Sequence, residues 1–416
     1  MRRSLEWLYP GLGIKRWLLL AGVGGVLLVY SAIFAVGVFW SPQLMRGLGM
    51  GWLHDRHWAA VLLAFDGVVF GAIALFIGAR KAWLFKRTGP ETAGDIRAAS
   101  RLARGPRVVA VGGGNGLAAL LRGLKVHTSN LTAVVTMADD GGSSGLLRRD
   151  LGMPPPGDLR NCLVALADDE SMMSRLFQYR FPDGGGLQGH SFGNLFMAAL
   201  AEVTGDFERA VQESTHILKV RGRVLPSTLD DVVLHAQLEG GDQVSGESTI
   251  TAAERLPRRV WLTPAAPRPL PQAIAALRRA DLVVLGPGSL YTSVIPNLLI
   301  PEVRAALKET RGWVVYVCNV MTQPGETDGY TAADHLDALH RHGIAGLVDV
   351  VLVNDAAVSP DLVASYQRFG ARPVVVDEDR LREAGVKVTH AQVAAESNVV
   401  RHDSERLAQA LIRIVR

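Results

Sequence analysis

The sequence predicts an α/β protein: a Rossmann-like, doubly wound, mostly parallel sheet with a small antiparallel insertion, preceded by a transmembrane helical hairpin. Three observations carry this. From Pro106 onward, short apolar runs alternate with helical segments. Several of those runs end directly in loops rich in glycine and serine. Residues 1–90 hold two long stretches with almost no charge. The expected division is a membrane hairpin over 1–87, a polar linker over 88–105, and an α/β body over 106–416.

The hairpin comes first in the chain. Leu18–Phe39 carries no charged residue and is long enough to cross about 30 Å of hydrocarbon as a helix. Ala59–Ala79 is a second such stretch, interrupted only by Asp66. Trp17, Trp40, Trp58 and Trp83 stand at or near the ends of these runs, where an interfacial aromatic belt belongs. Arg2, Arg3, Lys15 and Arg16 precede the first run, only Arg46 and Arg56 lie in the link, and Arg80, Lys81, Lys86 and Arg87 follow the second. The positive-inside rule then predicts two passes with both ends cytoplasmic. An acid at mid-span is costly, so Asp66 is expected to face the other helix or another subunit.

Charge excludes one function class. The 416 residues carry a net +4, but residues 1–90 hold ten Lys/Arg against three Asp/Glu, while the remainder holds 34 against 37. The basic excess sits beside the apolar N-terminus, so the body has no phosphate-backbone footprint and no nucleic-acid partner is expected. Two cysteines, Cys162 and Cys318, fit no disulfide scaffold. Cys162 is expected to be a packed thiol on a helix.

In the body, Arg107–Val111 is the first strand candidate. It runs into Gly112, Gly113, Gly114, Asn115 and Gly116, and a helix follows over Leu117–Leu124. Four glycines in five positions let the backbone turn tightly and approach a ligand, and the helix N-terminus offers N–H groups to an anion. The spacing fails the dinucleotide fingerprint, since Leu117 stands where its last glycine belongs. Leu131–Met137 is the second strand, ending in Asp139, Asp140, Gly141, Gly142, Ser143 and Ser144. These acids suit hydrogen bonds to sugar or base, or Mg²⁺ held against phosphate; the glycines and serines suit a nest of donors; a plain helix cap fits equally.

Further strands are expected at Leu282–Leu285, Trp313–Cys318, Val348–Val353 and Pro373–Val376, with helices over Leu270–Arg279 and Tyr330–His342. Val232–Thr251 alternates around Gly240-Gly241 and predicts the antiparallel hairpin. Ligands of such sheets bind beyond the carboxyl ends of the strands. Asp158 is a candidate cap after the Pro154–Pro156 run, with Arg160 as an anion ligand and Asn161 beside it. His190 and Asn194 stand in a polar loop entering a helix. Gly286, Gly288 and Ser289 follow one strand, and Asn319 ends another. Together these strand ends suggest a phosphorylated ligand in a cleft. Glu202, Asp206 and Glu208 read as a helix end and the next cap. His335, His340 and His342 have the wrong spacing for a metal cluster and read as a solvated helix end.

Val111–Leu117, Ala138–Gly145, Pro155–Cys162, Gly189–Leu195, Val224–Thr228, Gly286–Leu299 and Tyr316–Thr327 occur in an order that closely resembles the signature blocks of YvcK proteins, the gluconeogenesis-factor family of the CofD-like superfamily. Asn115 departs from the threonine expected in the glycine loop, and the two-span extension lies outside the core pattern. The resemblance implies a domain that binds UDP-sugars such as UDP-glucose or UDP-N-acetylglucosamine, with links to cell shape, wall-precursor supply and growth on gluconeogenic carbon. It also implies an alternative. CofD enzymes transfer a phospholactyl-type group from a nucleotide diphosphate carrier to a deazaflavin precursor with Mg²⁺. The expectation is therefore a UDP-sugar-binding regulator anchored in the cell (inner) membrane, its C-terminal domain cytoplasmic. Mg²⁺ at Asp139 and Asp140 is the one candidate cofactor. A homo-oligomer, a protein partner of unknown identity and any catalysed reaction stay open.

Overall fold

The structure, a computed structural model, describes residues 19–29, 31, 47, 57–88, 99–167, 172–182, 184–396 and 399–415. The chain divides into two compact units, Met1–Arg101 and Leu102–Arg416.

In the first unit, residues 19–29 are helical and a 32-residue helix spans His57–Thr88. Gly24 and Gly71 bring the two backbones together: a Cβ on Gly24 would lie 2.6 Å from the Gly71 carbonyl oxygen. Among the described residues no helix is long and apolar enough to cross a membrane. The expected two-span hairpin is not found as such, and much of the first expected span lies outside the described residues. Asp66, expected to face the other helix or another subunit, is exposed within the first unit.

The second unit carries a seven-stranded sheet in the order β10-β9-β8-β7-β1-β2-β3. The strands are β1 (Val108–Gly112), β2 (Leu131–Val135), β3 (Arg223–Pro226), β7 (Leu282–Leu285), β8 (Trp313–Val317), β9 (Val350–Asn354) and β10 (Lys387–Ala391). Every pairing in this sheet is parallel. β1, β2 and β7 are buried at every position, because helices cover both faces of a parallel sheet. The chain leaves β1 toward β2 and β3 on one side and returns through β7 on the other. The topological switch point therefore lies between β1 and β7.

The expected hairpin is present as β4 (Val233–Leu238) and β5 (Gln243–Ser245), and β6 (Pro257–Thr263) pairs antiparallel with β4 to make a three-stranded sheet. Its expected end, 247–251, is instead helical, within Glu247–Ala252. β11 (Ala394–Glu396) and β12 (Val400–His402) form a separate antiparallel pair.

Pro373–Val376 is not a strand. It makes single bridges to Met321 and Thr331, and its backbone bonds go to Val320 and Ala332 in loops. The helix expected over Tyr330–His342 runs over Ala332–Leu339 and widens into a π-turn at His340–Ile344. His335 and His342 are buried, not solvated, and each Nδ1 donates to a backbone carbonyl of its own helix, Thr331 at 2.8 Å and Ala338 at 2.6 Å. Cys162 is packed on the helix Gly157–Leu166, and Asp206 caps Phe207–Ile217 as expected.

Candidate functional site

The switch point is built from two glycine-bearing strand ends in backbone contact. After β1, Gly113 is the extended N-cap of the helix Gly114–Leu124. After β7, residues 286–289 turn into the π-helix Leu290–Val294. The loops lie so close that a Cβ on Gly116 would sit 2.6 Å from the Pro287 carbonyl oxygen. Buried Asn297 clamps them by donating from Nδ2 to the carbonyls of Gly112 (3.3 Å) and Ser293 (2.9 Å). Ser289 donates from Oγ to Gln323 (2.8 Å), joining this loop to the one after β8.

A cavity of about 560 Å³ opens beside these loops. Of the expected residues it is lined by Asn115, Gly116, Gly288, Ser289 and Asn319. Tyr366, Phe369 and His402 line its far side. The Tyr366 hydroxyl accepts the Val400 N–H (2.9 Å), and burial pulls the His402 pKa down to about 4.

Behind it, Glu326 is fully enclosed. Its Oε1 accepts the N–H groups of Tyr291 (2.7 Å) and Thr292 (3.0 Å), satisfying the first turn of the π-helix, while Oε2 has no partner. Burial pushes its pKa up to about 7.

The remaining expected residues gather at the end of β2. Asp139 accepts the Gly141 N–H (2.9 Å), and Ser144 accepts that of Gly157 (3.1 Å), which fastens the β2 loop to the helix bearing Asp158. The Oδ2 of Asp158 would lie 2.5 Å from a Cβ on Gly113. Burial, then the Asp139 charge, raises its pKa to about 6. Glu247, from the small sheet's helix, is pushed to about 9 by burial and then by Asp139, Asp158 and Asp140. Burial also raises Asp139.

Asp140 turns away. Its Oδ1 accepts the Ser248 N–H (2.8 Å), and it faces a second cleft with Arg148 and Gly246. The two adjacent acids therefore do not form one chelate, and no group of three or more His, Cys, Asp or Glu among the described residues is placed to hold a metal ion. Mg²⁺ on Asp139 and Asp140 does not fit this arrangement.

Arg160 is buried, with Nη2 donating to Asn161 (2.8 Å). Ser143 Oγ lies 3.0 Å from His190 Nδ1 and accepts from Asn194 Nδ2 at 3.1 Å. Asn161 thus supports Arg160, whereas His190 and Asn194 converge with Ser143.

The expected residues therefore divide into a cavity group around Gly116 and Gly288 and a polar group around Asp139 and Arg160. The Gly113–Asp158 contact joins them. Gly142 begins the helix that carries Ser143 and Ser144, and a Cβ on it would meet nothing within 4 Å. Glu247, Asn297 and Glu326 were not expected. Asn297 falls in the Gly286–Leu299 block and Glu326 in the Tyr316–Thr327 block, a signal that was available. Glu247 lies in the insertion and carries none.

A parallel sheet with glycine loops meeting at its switch point and acids at the neighbouring strand end is the architecture of a recognised class. The family model of 2-phospho-L-lactate transferase CofD matches residues 108–394, and the chain belongs to this family. Within it, the chain groups with the gluconeogenesis factors. It is 48% identical over 312 residues to the Bacillus subtilis gluconeogenesis factor, covering 75% of this chain and 98% of that protein. The Halalkalibacterium halodurans gluconeogenesis factor is 49% identical over 306 residues, covering 73% and 95%. A relative from Nostoc sp. is 44% identical over 419 residues, 98% of this chain and 92% of its own, so its similarity reaches through the N-terminal unit. A crystal structure of a Bacillus halodurans protein superposes with a TM-score of 0.72 at 48% identity, covering 74% of this chain and all of that one.

Proposed function

We infer that the body is a UDP-sugar-binding regulator serving cell-wall precursor supply, cell shape or central carbon metabolism. The observation that carries this is the contact between the Gly112–Gly116 and Gly286–Ser289 loops, which open together onto the cavity. Backbone N–H groups of that pair suit a diphosphate, and a cavity of this volume suits the rest of a nucleotide-sugar. Calorimetry with UDP-glucose and UDP-N-acetylglucosamine tests it, and no saturable binding of either overturns it. Asp139→Asn is expected to weaken binding at least about tenfold, or about 1.4 kcal/mol. Asparagine retains the acceptor for the Gly141 N–H, so a loss reports the ligand rather than the turn. Equal affinities would leave Asp139 a purely structural residue.

A second reading, a CofD-like nucleotide-dependent transferase, is favoured by the crowding of Asp139, Asp158 and Glu247 beside the glycine loop, because proton-transferring carboxyls have raised pKa values. Turnover of a nucleotide diphosphate substrate with any hydroxyl acceptor would move this reading to the front.

Residues 1–90 are proposed to hold the protein at the inner membrane with the body cytoplasmic. The support is the two charge-poor stretches and the outward apolar side chains of Leu19, Val26, Phe65, Phe70 and Phe76, each more than 60% exposed. Reporter fusions after residues 50 and 90 are expected on opposite sides of the membrane; the same side for both removes the two-pass topology.

A further inference from the structure

Arg160 is 6% exposed, yet among the described residues no carboxylate forms an ion pair with it, and its Nε has no hydrogen-bond partner. A buried charge left in that state is costly. Its stem lies on the start of the helix Phe192–Thr204: a Cβ on Gly193 would sit 2.7 Å from Arg160 Cδ. Burial, then the neighbouring guanidinium of exposed Arg180, lowers the Arg160 pKa to about 10 against the charges of Asp158 and Asp139, which raise it. Arg180 is fixed by the bonds Phe192 N–H to Tyr179 (2.8 Å) and Phe181 N–H to His190 (3.0 Å), and it donates to the Gly189 carbonyl (3.1 Å). Among the described residues neither guanidinium is paired with a carboxylate, and two such arginines side by side call for an anion.

The groups alongside specify the anion further. Ser143 Oγ accepts from Asn194 Nδ2 and is hydrogen-bonded to His190 Nδ1, which leaves the His190 Nε2 edge of the ring for a further partner. Asn194 is 2% exposed, and its Oδ1 is an acceptor without a donor. The set is therefore rich in donors and holds one acceptor, which matches the monoanion of a phosphomonoester: anionic oxygens for the guanidiniums and its one P–OH for Asn194. The carboxylate of Asp158 stands on the side of the glycine loops.

We propose that Arg160, Arg180, His190 and Asn194 form a second anion subsite that takes the phosphomonoester group of a phosphorylated small molecule, separate from the glycine loops. It holds whether or not the nucleotide there is a UDP-sugar. The probe is inorganic phosphate, titrated calorimetrically into the full chain with and without saturating UDP. One phosphate per chain is expected, retained in the presence of UDP and weakened at least tenfold by Arg180→Gln, a change at an exposed side chain. Arg160→Lys, which keeps the charge but loses the fork, is expected to weaken it similarly. Loss of phosphate binding in UDP, equal affinity in Arg180→Gln, or no saturable binding would each overturn the subsite. Failure of every UDP-sugar to bind, with phosphate still sensitive to Arg180→Gln, would remove the nucleotide proposal and leave this one standing.

Discussion

Gly116→Ala is expected to weaken UDP-sugar binding at least about 100-fold, or about 2.7 kcal/mol. The added Cβ would meet backbone atoms only: the Pro287 carbonyl oxygen at 2.6 Å, its carbon at 2.9 Å and Gly288 Cα at 3.2 Å. Backbone cannot rotate aside as a side-chain tip does, so the loop after β7 must retreat and the donors of the two loops lose their common focus. Overpacking of this kind also costs about 1–3 kcal/mol of stability. Gly114 is the instructive contrast. Its φ of +66° favours glycine, but a Cβ there meets only Ser293 Oγ at 3.8 Å. Gly114→Ala is therefore expected to cost about 1 kcal/mol in backbone strain and less in affinity. Calorimetry on both variants, with circular dichroism to confirm the fold, ranks them. Wild-type affinity in Gly116→Ala would detach the glycine loops from the ligand site.

The second large effect lies in pH. Glu326 has its pKa raised from 4.5 to about 7 by burial, so the folded state holds this proton more tightly than the unfolded chain. Its contribution to stability is complete below about pH 4.5 and is lost as the pH rises through about 7, an amount of roughly 3 kcal/mol. Asp158 and Glu247, raised to about 6 and about 9, act in the same direction over their own windows. Glu326→Gln retains the acceptor for Tyr291 and Thr292 but cannot ionise. The variant is expected to match the wild type near pH 4.5 and to exceed it at pH 8. Chemical denaturation at both pH values measures this; the same pH dependence in both proteins would show that Glu326 does not titrate in the folded state.

The parts of the fold that were legible were those whose local signal agrees with their tertiary role. β1, β2 and β7 are central strands, uniformly apolar and bounded by glycine, so burial on both faces is written into them. The edges were not legible. β3 ends in Pro226, which an edge position tolerates, and β10, Lys387–Ala391, is half-polar because only part of it is covered. Pro373–Val376 has the composition of a strand, but its backbone bonds go to Val320 and Ala332 instead of a neighbouring strand. The same contrast holds at the site. Glycine density marked the switch-point loops, whereas Asp139 and Asp140, adjacent and chemically equal, separate only when the β2 loop meets Gly157 on one side and Ser248 on the other. Glu247 joins Asp139 and Asp140 from a segment more than 100 residues away, a proximity that no local pattern encodes.

The order of the strands bears on how the protein is made. β1 pairs with β7, and Arg107 is bonded to Asp281 across 174 residues of intervening chain. The two glycine loops cannot meet until ribosomal synthesis has passed residue 289. Until then β1 has β2 on one edge and an open apolar edge on the other. Pairings of such long range close slowly, since their loop entropy is spent before the contact rewards it. The proposed ligand site is thus among the last features to assemble, and the nascent N-terminal half is the species in which edge-to-edge association with another chain competes with folding.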